Sequence, residues 1–109
     1  MPVHNKLVRD LIPNIIKKTG KEFSTRILDK EEYELELRKK SQEELREYLE
    51  AEDDESAIEE LADLMEVIYA LSRCHGATPE KLDKARKEKA AKRGGFDEKI
   101  YLIEVSDGK

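Results

Sequence analysis

The 109-residue sequence has no tryptophan, one cysteine, two histidines, three prolines and five glycines, and only 6% of it is aromatic. Each scarcity removes a class of protein. The single thiol, Cys74, cannot close an internal disulfide, and Cys74 with His4 and His75 makes no Cys/His zinc pattern. No apolar run approaches the roughly 20 residues that a membrane-spanning helix needs, so no membrane partner is expected. The opening residues hold no hydrophobic signal core, and a cytoplasmic location is the expectation. Positive charge is not in excess either. Lys and Arg number 21 against 26 Asp and Glu, for a formal charge of -5, which disfavours stable binding of nucleic acid by bulk electrostatics and leaves single nucleotides open.

What remains is charge and short apolar spacing. With 43% of residues charged and 38% hydrophobic, the apolar side chains must lie on narrow stripes, the pattern of amphipathic helices whose faces are shared between subunits. The length allows one domain, taken as residues 1–109.

Pro13 marks the first turn of a short helix that stops at Gly20. Residues 22–28, with Phe23, Thr25, Ile27 and Leu28, read as a strand. Asp29 is a good N-cap for a long helix from 30 to about 51, free of Gly and Pro and dense in Glu, Lys, Arg and Leu. Acids at 52–55 suit the first turn of the next helix, from about 56 to 75. Gly76 ends that helix, Thr78 and Pro79 open another, and Gly94-Gly95 stop it. Residues 99–105 read as a second strand that pairs with the first in a small two-stranded ribbon. The expected fold is therefore mostly α, a helical bundle with long antiparallel helices and that ribbon, in an oligomer.

Two acidic pairs at i,i+3 spacing stand out, Glu44 with Glu47 and Glu60 with Asp63. Spacing alone is weak, since roughly six such pairs arise by chance in a chain this acidic. Position on the helix is the better test. At about 100° per residue, Ala57, Leu64, Val67 and Leu71 all fall within about 60° of Glu60, so Glu60 sits inside the apolar stripe. Asp63 flanks it on the side of Ala70 and Cys74, whereas Glu59, Glu66 and Arg73 lie on the solvated arc. The same arithmetic puts Glu44 between Tyr33 and Leu37, with Glu47 flanking. Packing the two stripes together collects four carboxylates, which need a partner. A divalent cation is one solution, and an all-oxygen set points to Mg²⁺ or Mn²⁺; Lys or Arg paired across the bundle is the other.

Glu43-Glu44-x-x-Glu47, followed after residues 48–59 by Glu60-x-x-Asp63, resembles the E-E-x-x-E…E-x-x-D signature of the MazG-type all-α nucleoside triphosphate pyrophosphohydrolases, a superfamily that includes the phosphoribosyl-ATP pyrophosphohydrolases. The opening Asn5-Lys6-Leu7-Val8-Arg9-Asp10 with Ile12-Pro13, and Lys92-Arg93-Gly94-Gly95-Phe96, are similar to the flanking motifs of a small single-domain branch. Ser41 and Gln42, and Asp97-Glu98-Lys99, depart from that pattern outside the four acids. The resemblance implies a helical homodimer or homotetramer. It also implies Mg²⁺ held by Glu44, Glu47, Glu60 and Asp63, and hydrolysis of a nucleoside triphosphate between the α and β phosphates to monophosphate and pyrophosphate. One of the four acids, or Glu43, would take the proton.

A triphosphate needs cationic contacts, and Lys6, Arg9 and Arg93 are the candidates. Lys6 and Arg9 serve equally as a structural ion pair tying the N-terminus to an acidic helix, and Arg93 beside two glycines also fits a plain helix cap. The first reading is house-cleaning hydrolysis of noncanonical or surplus nucleoside triphosphates. The second is the phosphoribosyl-ATP step of histidine biosynthesis, and the third a noncatalytic helical oligomer that binds a nucleotide or a partner helix.

Overall fold

The computed structural model describes residues 2–108. Among the described residues four helices follow one another: α1 (Ile12–Lys18), α2 (Lys30–Glu50), α3 (Asp54–Cys74) and α4 (Pro79–Arg93). Their boundaries follow local chemistry. Asp29 caps α2 by accepting from the Glu32 amide at 2.9 Å, Asp53 caps α3 by accepting from the Ser56 amide at 2.7 Å, and Thr78 caps α4 by accepting from the Lys81 amide at 3.1 Å. Gly76 and Gly94 end α3 and α4 at φ of 74° and 82°, the left-handed region that a side chain disfavours. α3 starts two residues earlier than its sequence suggests, because Asp53 rather than an acid nearer Ser56 supplies the cap.

Residues 51–53 are the whole link between α2 and α3, so the two long helices fold back on each other as an antiparallel hairpin. That hairpin holds what core there is. Leu37 from α2 and Val67 from α3 are the buried apolar residues, at 4% and 8% exposure, with Leu64 and Leu71 half-buried beside them. α4 packs lightly on α3, and among the described residues α1 packs on no other helix.

The expected two-stranded ribbon is absent: among the described residues there is no strand, and 22–28 and 99–105 run as irregular chain. β-propensity is a preference for a pleated, half-buried surface with cross-strand neighbours, and within one chain these segments meet none. Ile27 is 94% exposed, and Ile100, Tyr101, Leu102, Ile103 and Val105 are exposed in turn.

The radius of gyration is 19.0 Å and the extents are 68 × 35 × 24 Å, against about 13 Å for a compact chain of this length. The outer face of α3 carries Ile58, Leu61, Met65 and Ile68, spaced three and four residues apart and all exposed. α3 therefore has two apolar faces, and α2 covers one of them.

Candidate active site

The α2–α3 hairpin brings three of the four predicted acids together. Glu44 and Glu47 project from consecutive turns of α2 and Glu60 from α3, and one carboxylate oxygen from each lies within 4.8 Å of the others. The helical phase drawn from the sequence is the observed one. Leu37 and Glu44 are the two buried residues of α2, Glu60 is half-buried, and Glu59, Glu66 and Arg73 face solvent. Glu47 is exposed and forms the open side of the cluster.

Such an arrangement is electrostatically unfavourable by itself. Glu44 Oε2 and Glu60 Oε2 are sealed from solvent and hydrogen-bonded to nothing. Burial, then proton sharing with Glu47, then the charges of Glu47 and Asp63 push the Glu44 carboxyl up to about 7, with Lys40 opposing. Glu60 is raised as well, first by proton sharing with Glu47 and then by burial. A buried carboxylate oxygen with no donor is a group with an unmet need, and two of them beside a third acid make an all-oxygen donor set for a hard divalent cation. These three residues could hold a metal ion.

Asp63 stands apart from the three. It lies one turn along α3 from Glu60, close enough for its charge to raise both Glu44 and Glu60, but its Oδ1 accepts from Arg9 Nη2 at 2.6 Å. Of the two readings of Arg9, the structure shows the ion pair to an acidic helix. Glu43, a candidate base, points instead towards Lys40 at 3.9 Å.

Sequence reasoning missed Lys40. Its ammonium lies 3.9 Å from both Glu43 and Glu44, and it is the cation nearest the buried acid, with 20% of its side chain exposed. The signal was present, since Lys40 precedes Glu44 by four residues and so shares its helix face. Lys6 and Arg93 are exposed and, among the described residues, have no ion-pair partner. His75 caps α3 and sits 3.7 Å from Glu34, away from the acids.

Comparison with known proteins adds one match. The family model described as phosphoribosyl-ATP pyrophosphohydrolase matches residues 8–89, a span that contains Arg9, Lys40 and all four acids and leaves out Lys6 and Arg93. No curated protein and no solved structure matches the chain. With three quarters of its length matched and the acid cluster inside the match, the chain belongs to the phosphoribosyl-ATP pyrophosphohydrolase family, within the MazG-like all-α superfamily, and is a nucleotide pyrophosphohydrolase, a hydrolase acting on acid anhydrides.

Proposed function

We propose that this chain hydrolyses noncanonical or surplus nucleoside triphosphates between the α and β phosphates, releasing monophosphate and pyrophosphate, with Mg²⁺ held by Glu44, Glu47, Glu60 and Asp63. The observation that carries the metal reading is the pair of sealed, unpartnered oxygens on Glu44 and Glu60 beside Glu47. The family is metal-dependent in general, which agrees with it. When bound, the cation neutralises charge on the phosphate oxygens and acidifies a water.

The chain's own residues supply the rest. Glu44 and Glu60 hold the donor set rigid, since each projects from a 21-residue helix packed against the other. Glu47 is the acid of the cluster that solvent reaches, which favours it as the acceptor of a proton from water. Lys40 limits the repulsion on Glu44. Lys6, Arg9 and Arg93 are the cations proposed for the triphosphate, Arg9 being the one already at the site.

A second copy of the chain belongs to this reading. The Ile58, Leu61, Met65 and Ile68 face is self-complementary in the manner of a helical seam, and covering it on both chains would join two α2–α3 hairpins into a bundle. This supports a homodimer or homotetramer.

The second substrate reading is phosphoribosyl-ATP, favoured by the description of the matching family. With the family established, a noncatalytic oligomer no longer describes the chain. Pyrophosphate release from a panel of nucleoside triphosphates and phosphoribosyl-ATP, with and without Mg²⁺, tests the proposal, with Glu60→Gln as control. Release confined to phosphoribosyl-ATP moves the assignment to the second reading, and Mg²⁺-independent release overturns the metal site.

A further inference from the structure

Arg9 is separated from Asp63 by 54 residues, yet its guanidinium meets that carboxylate at 2.6 Å. Among the described residues, and outside the acid cluster, every other side-chain hydrogen bond joins residues at most six apart. The contact matters mechanically because so little else fastens the N-terminal segment. α1 packs on no other helix among the described residues, and before it only Leu7 is half-buried. The Arg9 carbonyl accepts from the Ile12 amide at 3.0 Å, so the residue that holds α3 also closes the turn leading into α1. Asp63 in turn adds its charge to that of Glu47 on both Glu44 and Glu60, while its own Oδ1 is taken.

Arg9 takes one oxygen of Asp63, Oδ1, and partly neutralises that carboxylate, and a divalent cation entering beside the guanidinium is repelled by it. We propose that Arg9 is a positioning residue that occupies Asp63 until a divalent cation enters the Glu44, Glu47 and Glu60 cluster, and that it then yields Asp63 to the cation and frees the N-terminal segment. Loading the site and loosening residues 5–18 are one equilibrium. The freed guanidinium is left beside the site with five donors and no acceptor, a fork that suits a phosphate group. The inference rests on the metal reading of the acids.

The test is calorimetric titration of Mn²⁺ into the full chain and into Arg9→Gln and Arg9→Lys, with backbone amide exchange of α1 followed with and without Mn²⁺. The exposed ion pair competes weakly, so Arg9→Gln is expected to bind Mn²⁺ about two- to fivefold more tightly, with Arg9→Lys between it and the unaltered chain. In the unaltered chain Mn²⁺ is expected to speed exchange at the Ile12 and Ile15 amides while slowing it in α2 and α3; in Arg9→Gln the α1 amides exchange fast from the start and Mn²⁺ leaves them so. A merely structural role for Arg9 predicts the opposite sign, weaker Mn²⁺ binding on its removal. Mn²⁺ binding to the unaltered chain that is equal or weaker in Arg9→Gln, or α1 exchange unmoved by Mn²⁺, overturns this proposal alone. No Mn²⁺ binding to any of the three overturns the metal reading, and this proposal with it.

Discussion

Glu44 on α2 and Glu60 on α3 approach each other through carboxylate oxygens within 4.8 Å, and each keeps a second oxygen that neither water nor a donor reaches. Two acids so placed are stable in one of two ways, by retaining a proton or by gaining a cation, and the consequences of each are measurable.

The first consequence concerns charge removal. Glu44→Gln takes away a buried charge while keeping the side-chain volume, so the metal-free protein at pH 8 should melt at a higher temperature than the unaltered one. The same change removes a proposed ligand, and turnover should fall by at least about a hundredfold, more than the loss of an outer-shell partner brings. Thermal unfolding in EDTA and pyrophosphate release in Mg²⁺ check the two halves. A Glu44→Gln protein less stable in EDTA would contradict the repulsion among these acids.

The pH dependence has a definite sign. The Glu44 carboxyl holds its proton up to about 7 in the folded chain, against 4.5 for the free group, so between those values the folded state binds more protons than the unfolded state. Stability of the metal-free protein should therefore fall as pH rises from about 4.5 to about 7 and level off above. Metal affinity should rise over the same interval, because the cation needs the deprotonated form. Denaturation midpoints from pH 5 to 8, in EDTA and in Mg²⁺, provide the check, and Mg²⁺ should reverse the downward trend.

Metal removal should register on folding directly. A cation bound only by the folded chain stabilises it by about 2.7 kcal/mol at a hundredfold excess over its dissociation constant, and stripping it lowers the melting temperature accordingly. Glu60→Gln should abolish most of this increment. A melting temperature indifferent to Mg²⁺ in the unaltered protein would rule out a site at the cluster.

The helices that position these acids were legible in the sequence for a physical reason. Caps such as Asp29 and Thr78, and the apolar spacing around Glu44 and Glu60, act within one or two turns, so local chemistry suffices. The expected strands do not form among the described residues: Phe23, Ile27, Ile100 and Ile103 have strand-forming side chains, whereas a strand exists only when a partner lies alongside.

Assembly is tested on the outer face of α3. Met65→Glu places a charge in the exposed apolar seam without touching the α2 side. The unaltered chain should sediment at twice the monomer mass or more, and Met65→Glu should shift towards the monomer, as read by light scattering. A monomer of unaltered stability in the parent protein would remove the proposed second copy.

The junction between α2 and α3 makes a final prediction. Asp53 accepts from the Ser56 amide, and that backbone contact, followed by the Ser56 side chain, holds its carboxyl below the usual range. Asp53→Ala should lower the melting temperature by several degrees and Asp53→Asn by less, since asparagine also caps; thermal scans of both variants decide it.

By itself the sequence determined four things about this protein: where its long helices begin and end to within a turn, that Glu44 and Glu60 lie in apolar stripes, the family to which its acid spacing belongs, and the absence of any long apolar run. All are local or periodic properties, set by residues a few positions apart. Tertiary structure decided which of the acids meet. It placed Glu47 with Glu44 and Glu60, gave Asp63 to Arg9 from the far end of the chain, brought Lys40 against Glu43 and Glu44, and left 22–28 and 99–105 without partners. Distances between elements depend on how the three-residue link at 51–53 closes the hairpin, and no periodicity within a single helix carries that information.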